Sequence, residues 1–180
     1  KIMGYFTVEL TPTIAGNLQA SAFGADDLLF DWVSFQVPRG ANKLIAATAI
    51  LRSKNGDHQT APKLDLFFAK TVSLAAPSTL GVVNSGVTGL PAIANHLIGI
   101  TNFQAGEFGQ NSGESFTIGS TGGGGASSSI PTLVLEGEIN SGDNVGYDTL
   151  YIGAAAGSAL DFGTTVLARG GEAADVVVVE

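Results

Sequence analysis

The chain has 180 residues, of which 44% are hydrophobic, only 13% are charged and 25 are glycine, whereas an average domain is about 25% charged and about 7% glycine. Sixteen Asp and Glu against eight Lys and Arg leave a net charge of −8. That balance excludes the basic stripe of a nucleic-acid binder and a polybasic membrane patch. Hydrophobicity this high with charge this low excludes a disordered chain. With no cysteine there is no disulfide framework and no thiolate metal site. The longest apolar run, Leu44–Leu51, is far shorter than the ~20 residues that span a bilayer, and no secretory signal pattern follows Lys1.

Helical periodicity is nearly absent. Short runs of β-branched, aromatic and aliphatic residues recur instead, bounded by Gly, Pro, Asn, Asp or Ser. Tyr5–Thr11 alternates and stops at Pro12. Leu28–Val37 places Leu29, Asp31, Val33, Phe35 and Val37 on one face and stops at Pro38-Arg39-Gly40. Lys43–Arg52 is apolar on both faces, as in a strand covered on both sides. Asn55-Gly56-Asp57 follows, a strong turn signal, and the loop Asn55–Pro62 reads as an antiparallel connection to Lys63–Thr71. That strand has Leu64, Leu66 and Phe68 on one face and Asp65, Phe67 and Ala69 on the other.

Leu90–His96 has a proline at its second position, which a first helical turn accepts, so a short helix is expected there. Leu97–Phe103, Ser115–Ile118, Thr132–Ile139, Tyr147–Ala154 and Asp175–Val179 complete a set of about nine strands. The pattern predicts an all-β fold, an antiparallel β-sandwich or jelly roll with one short helix, as a single domain over residues 1–180. Gly119–Ser129 has the composition of a flexible Gly/Ser-rich loop. Four consecutive valines, Val176–Val179, are an aggregation hazard if unpaired, so this strand is expected to pair with the chain itself or with a neighbour.

No constellation in the sequence carries recognisable chemistry. His58 lies in a polar turn and His96 at a helix end, and no Gly-x-Ser-x-Gly elbow accompanies either. Two histidines 38 residues apart make no zinc spacing, and Gly122–Gly125 lacks the Lys and Ser/Thr of a phosphate loop. Asn140–Asp148 clusters hard oxygen ligands around glycines, and Asp143, Asn144 and Asp148 are its candidate calcium ligands. The same residues are equally good turn formers, and the segment lacks the terminal bidentate Glu, so the turn reading is preferred. Asp26-Asp27 reads as a polar strand start, since neighbours in a strand point to opposite faces. Trp32, near Phe30 and Phe35, is a candidate sugar-stacking platform, although aromatics spread through strands are the signature of a core. No cofactor is expected.

Several strings resemble a family of tailed-phage virion structural proteins. Val8-Glu-Leu-Thr-Pro12-Thr13 is similar to the family's opening V-x-x-T-P strand, and Phe23-Gly24-Ala25-Asp26-Asp27-Leu28 stands where its Y/F-x-x-G-D-x-L segment falls. Leu44–Leu51 running into Arg52–Gln59 resembles L-x-x-L-x-V-x-D-x-D-x-Q. Leu64-Asp65-Leu66-Phe67-Phe68 resembles A-L-D-L-x-F-F, and His96-Leu-Ile-Gly-Ile100 resembles I-L-G-x-V/I. Tyr147–Ala155 and Thr164–Ala168 resemble the closing strand pair. The order of these short motifs covers most of the chain. The Gly119–Ser129 insertion and the ending Asp175–Glu180 depart from the family pattern.

The resemblance implies a non-enzymatic phage protein, a capsid decoration or cement subunit on the outer capsid surface of the virion. Its implied partners are the major capsid protein and further copies of itself, as a homo-oligomer (dimer or trimer). The alternatives are a tail, collar or fibre component of the virion, or a sugar-binding β-sandwich module. Contact residues are expected in the termini and the long loop, acting as assembly arms: Lys1, Ile2, Met3, Gly122, Gly123, Ser127, Asp175, Val176, Val178 and Glu180.

Overall fold

The alternating runs form antiparallel ladders in a computed structural model of the chain, which describes residues 6–12, 22–52, 62–105, 108–110, 116–121, 133–161 and 175–179. Thirteen strands are present among these residues: β1 (Glu9–Leu10), β2 (Ala22–Phe23), β3 (Leu28–Pro38), β4 (Asn42–Lys43), β5 (Thr48–Arg52), β6 (Leu64–Lys70), β7 (Leu97–Phe103), β8 (Phe108–Gln110), β9 (Phe116–Ser120), β10 (Val134–Leu135), β11 (Tyr147–Ala156), β12 (Leu160–Asp161) and β13 (Asp175–Val179). The fold is all-β and every ladder is antiparallel. One sheet has the order β3-β11-β6-β7 and a second β1-β13-β5-β9-β8, while β10-β4 and β12-β2 are two-stranded pairs. The expected short helix is a single 3-10 turn, Leu90–Ile93, with its proline in the first turn. No helix among the described residues is long and apolar enough to cross a membrane.

Alternation along β6 decides where the cores sit. Leu64, Leu66 and Phe68 enter a large core that also holds Leu150, Ile152 and Ala154 of β11 and Ala49 and Leu51 of β5. Because β5 belongs to the other sheet, the two sheets share this core. Phe67 points the opposite way, into a second cluster with Leu28, Leu80, Ile93 and Ala155. The four-stranded sheet is therefore covered on both faces, once by the five-stranded sheet and once by the segment that links β6 to β7. This explains why Lys63–Thr71 has large apolar residues of both parities.

Four expectations are corrected. Lys43–Arg52 is not one doubly covered strand: Asn42–Lys43 pairs with β10, Thr48–Arg52 joins the five-stranded sheet, and Ile45 between them is exposed. The Asn42 side-chain amide holds the first piece in place, donating to the carbonyls of Pro38 (2.7 Å) and Gly40 (2.9 Å). β5 and β6 are not joined as an antiparallel pair either, since they lie in different sheets; Asn55-Gly56-Asp57 lies outside the described residues.

Strict alternation fails along β3, where pairing to β11 shifts between Ile152, opposite Val33, and Ala154, opposite Phe30. Such a shift inserts a residue on one side of the ladder and turns the following side chains to new faces. Asp31 thereby leaves the expected apolar face, and its carboxylate accepts the Leu80 N–H at 2.9 Å. Finally, the loop expected over Gly119–Ser129 begins later than its composition indicates. Gly119 and Ser120 belong to β9, and the buried Thr121 hydroxyl oxygen accepts the Ala47 N–H at 2.9 Å; residues 122–129 lie outside the described set. The runs Tyr5–Thr11 and Thr132–Ile139 shrink to two-residue strands, and β2, β8 and β12 were not anticipated.

Asp175–Val179 is a strand with the boundaries expected for it. It pairs along its length with β5, and through Val178 and Val179 with β1. Its valines are thus taken up within this chain's own sheet.

Candidate interaction surface

One end of the four-stranded sheet gathers the close of β3 and β6 and the start of β7 and β11, because antiparallel pairing sets Tyr147 opposite Pro38 and Leu97 opposite Ala69. Two turns meet there. In the first, Val72 and Ala75 exchange N–H···O bonds of 3.1 Å each, and Ser73 (φ 53°) and Leu74 (φ 62°) both take left-handed backbone. That geometry normally calls for Gly or Asn. Here a carboxylate from the second turn supports it: Glu138 accepts the Leu74 N–H at 2.7 Å and the Thr71 hydroxyl at 2.8 Å. The Leu74 N–H above all, then the Thr71 hydroxyl, hold the Glu138 carboxyl below the ordinary glutamate value against desolvation, with smaller help from the Ser73 N–H and the charge of Lys70.

The second turn, residues 138–146, is pinned equally tightly. The Ser141 hydroxyl donates to the Glu138 carbonyl and accepts the Thr149 N–H, while the Thr149 hydroxyl donates to the Ser141 carbonyl. Gly142 lies so close to β11 that an added Cβ would fall 2.2 Å from the Tyr147 carbonyl oxygen, which only glycine avoids. Arg39 spans the turn, with Nε 3.4 Å from the buried Asp148 carboxylate and Nη2 3.3 Å from the Asn140 side-chain oxygen. Gln36 donates to Asp143 at 2.8 Å. The candidate calcium ligands are thereby accounted for as turn chemistry. Asp143 takes the Gln36 amide, the Asn144 carbonyl accepts the Tyr147 N–H, and Asp148 sits in β11 against Arg39. Among the described residues no group of three or more His, Cys, Asp or Glu is placed to hold a metal ion.

These braced turns present three large apolar side chains outward, beside the exposed polar residues Ser73, Asn140, Asp143 and Asn144. Leu74 is 59% exposed, Ile139 64% and Val145 99%. A single exposed aliphatic side chain is ordinary; here three of them stand on two turns fixed by polar bonds at one end of a sheet. Glu138 and Ser141 are engaged in holding backbone, while Arg39 bonds the Asp148 and Asn140 side chains and Asp143 takes the Gln36 amide.

Other candidates also have structural partners. His96 Nδ1 lies 2.9 Å from the Lys70 carbonyl oxygen, which can only accept, so this nitrogen carries a proton. The Trp32 ring packs against the second core, and its Nε1 donates to the Ser78 carbonyl at 2.8 Å. Asp27 accepts the Gly24 N–H at 2.6 Å in the turn that opens β3. His58, Lys1, Ile2, Met3, Gly122, Gly123, Ser127 and Glu180 lie outside the described residues. Asp175, Val176 and Val178 are in β13, away from both turns in sequence and in sheet. Sequence reasoning does not single out exposed Leu74, Ile139 and Val145, and Ser73-Leu74 carries none of the usual residues that announce its turn. No family model, curated protein or solved structure matches the chain.

Proposed function

We propose that the chain is a non-enzymatic structural subunit of a bacteriophage virion, a decoration or cement protein on the outer surface of the capsid. The observation that carries this reading is the braced end of the four-stranded sheet, where polar groups fix two turns and apolar Leu74, Ile139 and Val145 face outward. It agrees with the low charge and with the resemblance of the chain's motif order to virion structural proteins. We read the two larger sheets as the layers of a sandwich, with the contact surface on the turns at one end.

The mechanism is contact. A protein that binds the assembled shell and not its separated parts stabilises the shell by mass action. Copies arranged as a closed homo-oligomer, a dimer or trimer, would bridge seams of the major capsid protein. The net charge of −8 keeps such a subunit soluble and disfavours contact with packaged DNA.

Particles stripped of the protein are expected to lose resistance to heat and osmotic shock and to regain it on adding the purified chain back. A chain carrying Leu74→Ser, Ile139→Ser and Val145→Ser should restore much less. Unchanged resistance after stripping would remove the cementing role.

A further inference from the structure

We infer that the Glu138 carboxylate is a charge-dependent latch: ionised, it holds the Val72–Ala75 turn in left-handed backbone and fixes Leu74 beside the 138–146 turn; uncharged, it lets the Val72–Ala75 turn loosen.

The turn is incomplete without this carboxylate. Its two internal bonds use the N–H and C=O groups of Val72 and Ala75, which leaves the N–H groups of Ser73 and Leu74 needing an acceptor. Successive N–H groups in such a turn make an anion-binding concavity, and Glu138 fills it from 64 residues away in sequence. Neither Ser73 nor Leu74 is glycine, so left-handed backbone is intrinsically unfavourable at both. Ionic hydrogen bonds from the carboxylate supply the compensation, and they are the stronger kind. The Glu138 carbonyl is in turn held by Ser141, which is clasped to Thr149. Release of the carboxylate therefore loosens the 72–75 turn while the 138–141 segment stays anchored.

Several charged groups surround Glu138. Lys70 is the cation that acts on it, and His96 contributes only a bond to the Lys70 carbonyl. Of the neighbouring carboxylates, Asp148 lies beneath Gly137 but faces Arg39, and Asp143 faces Gln36. The sign follows from the lowered value: the folded turn favours the ionised form. The latch is complete above the ordinary glutamate range, around 4.3, and opens as pH falls below it. This inference does not depend on what the exposed leucine docks against.

The test is amide exchange and chemical shift by NMR on the whole chain. At neutral pH, Glu138→Gln is expected to speed exchange of the Leu74 amide several-fold while leaving core amides such as that of Ile152 unchanged. Adding Leu74→Gly to that variant should restore part of the protection, because glycine takes left-handed backbone freely. In the unaltered chain, the Leu74 amide shift should titrate in acid with a midpoint below that of an ordinary glutamate, before global unfolding. Unchanged Leu74 exchange in Glu138→Gln, an equal loss of protection at every amide, or an acid transition of Leu74 that coincides with global unfolding would each overturn the latch. Should Glu138→Gln fail to fold, the acid titration of the unaltered chain decides alone.

Discussion

Truncating Phe68 to alanine is expected to lower folding stability by about 4 kcal/mol, within the range for emptying a fully packed aromatic site. Phe68 is buried in the shared core, opposite Ile152 in the ladder, with its ring edge-on to Phe35 at 6.5 Å. The cluster it belongs to draws residues from both sheets, so collapse around the cavity is resisted by two ladders and the cavity cost persists. For a chain of this size the loss corresponds to a fall in melting temperature of roughly 10 °C. Denaturant unfolding measures it directly. A cost below about 1 kcal/mol, the level of surface changes, would mean that the sheets do not share this core.

The second large effect falls outside every strand. Leu80→Ala is expected to cost about 3 kcal/mol, a core-sized loss for a residue in a connecting segment. Leu80 is fully buried with Phe67, Ile93 and Leu28. Its amide donates to Asp31, and its carbonyl accepts the Thr88 and Gly89 N–H groups at 3.1 and 2.8 Å, so its backbone is fixed. The site is also sculpted to receive it: a Cβ on Gly153 would stand 2.4 Å from the Leu80 Cδ1, so β11 makes room by carrying glycine. Loop substitutions usually change stability by about 0.5 kcal/mol or less. An effect that small at Leu80 would show that the segment between β6 and β7 only drapes the sheet.

These two sites show how much of the fold was legible in the sequence. The parity of Leu64, Leu66 and Phe68 against Phe67 was readable, as were the bounds of Leu97–Phe103 and Asp175–Val179, because alternation and flanking turn residues are local signals. Sheet membership was not. That β5 pairs with β13 and β9, and not with the strand after it, depends on partners distant in sequence such as Asp175 opposite Arg52, and local pattern carries no such information. The interruption of Lys43–Arg52 was hidden for the same reason, since uninterrupted apolar character does not reveal where a ladder changes partner.

The candidate surface was half legible. Asn140–Gly146 announced a turn through its Asn, Gly and Asp residues. The facing turn did not, because Ser73 and Leu74 have no intrinsic preference for left-handed backbone and are held there by Glu138 from a separate segment. A surface that depends on such long-range bonds escapes any search for motifs, and the apolar residues it presents look in sequence like ordinary core.

The role we propose, a capsid subunit of a phage particle, is decided by the protein stoichiometry of purified virions. Quantitative mass spectrometry of intact particles is expected to find on the order of hundreds of copies, in fixed ratio to the major capsid protein, as repeated closed-symmetry binding requires. Absence from the particle, or the few copies of a tail or collar component, would contradict it.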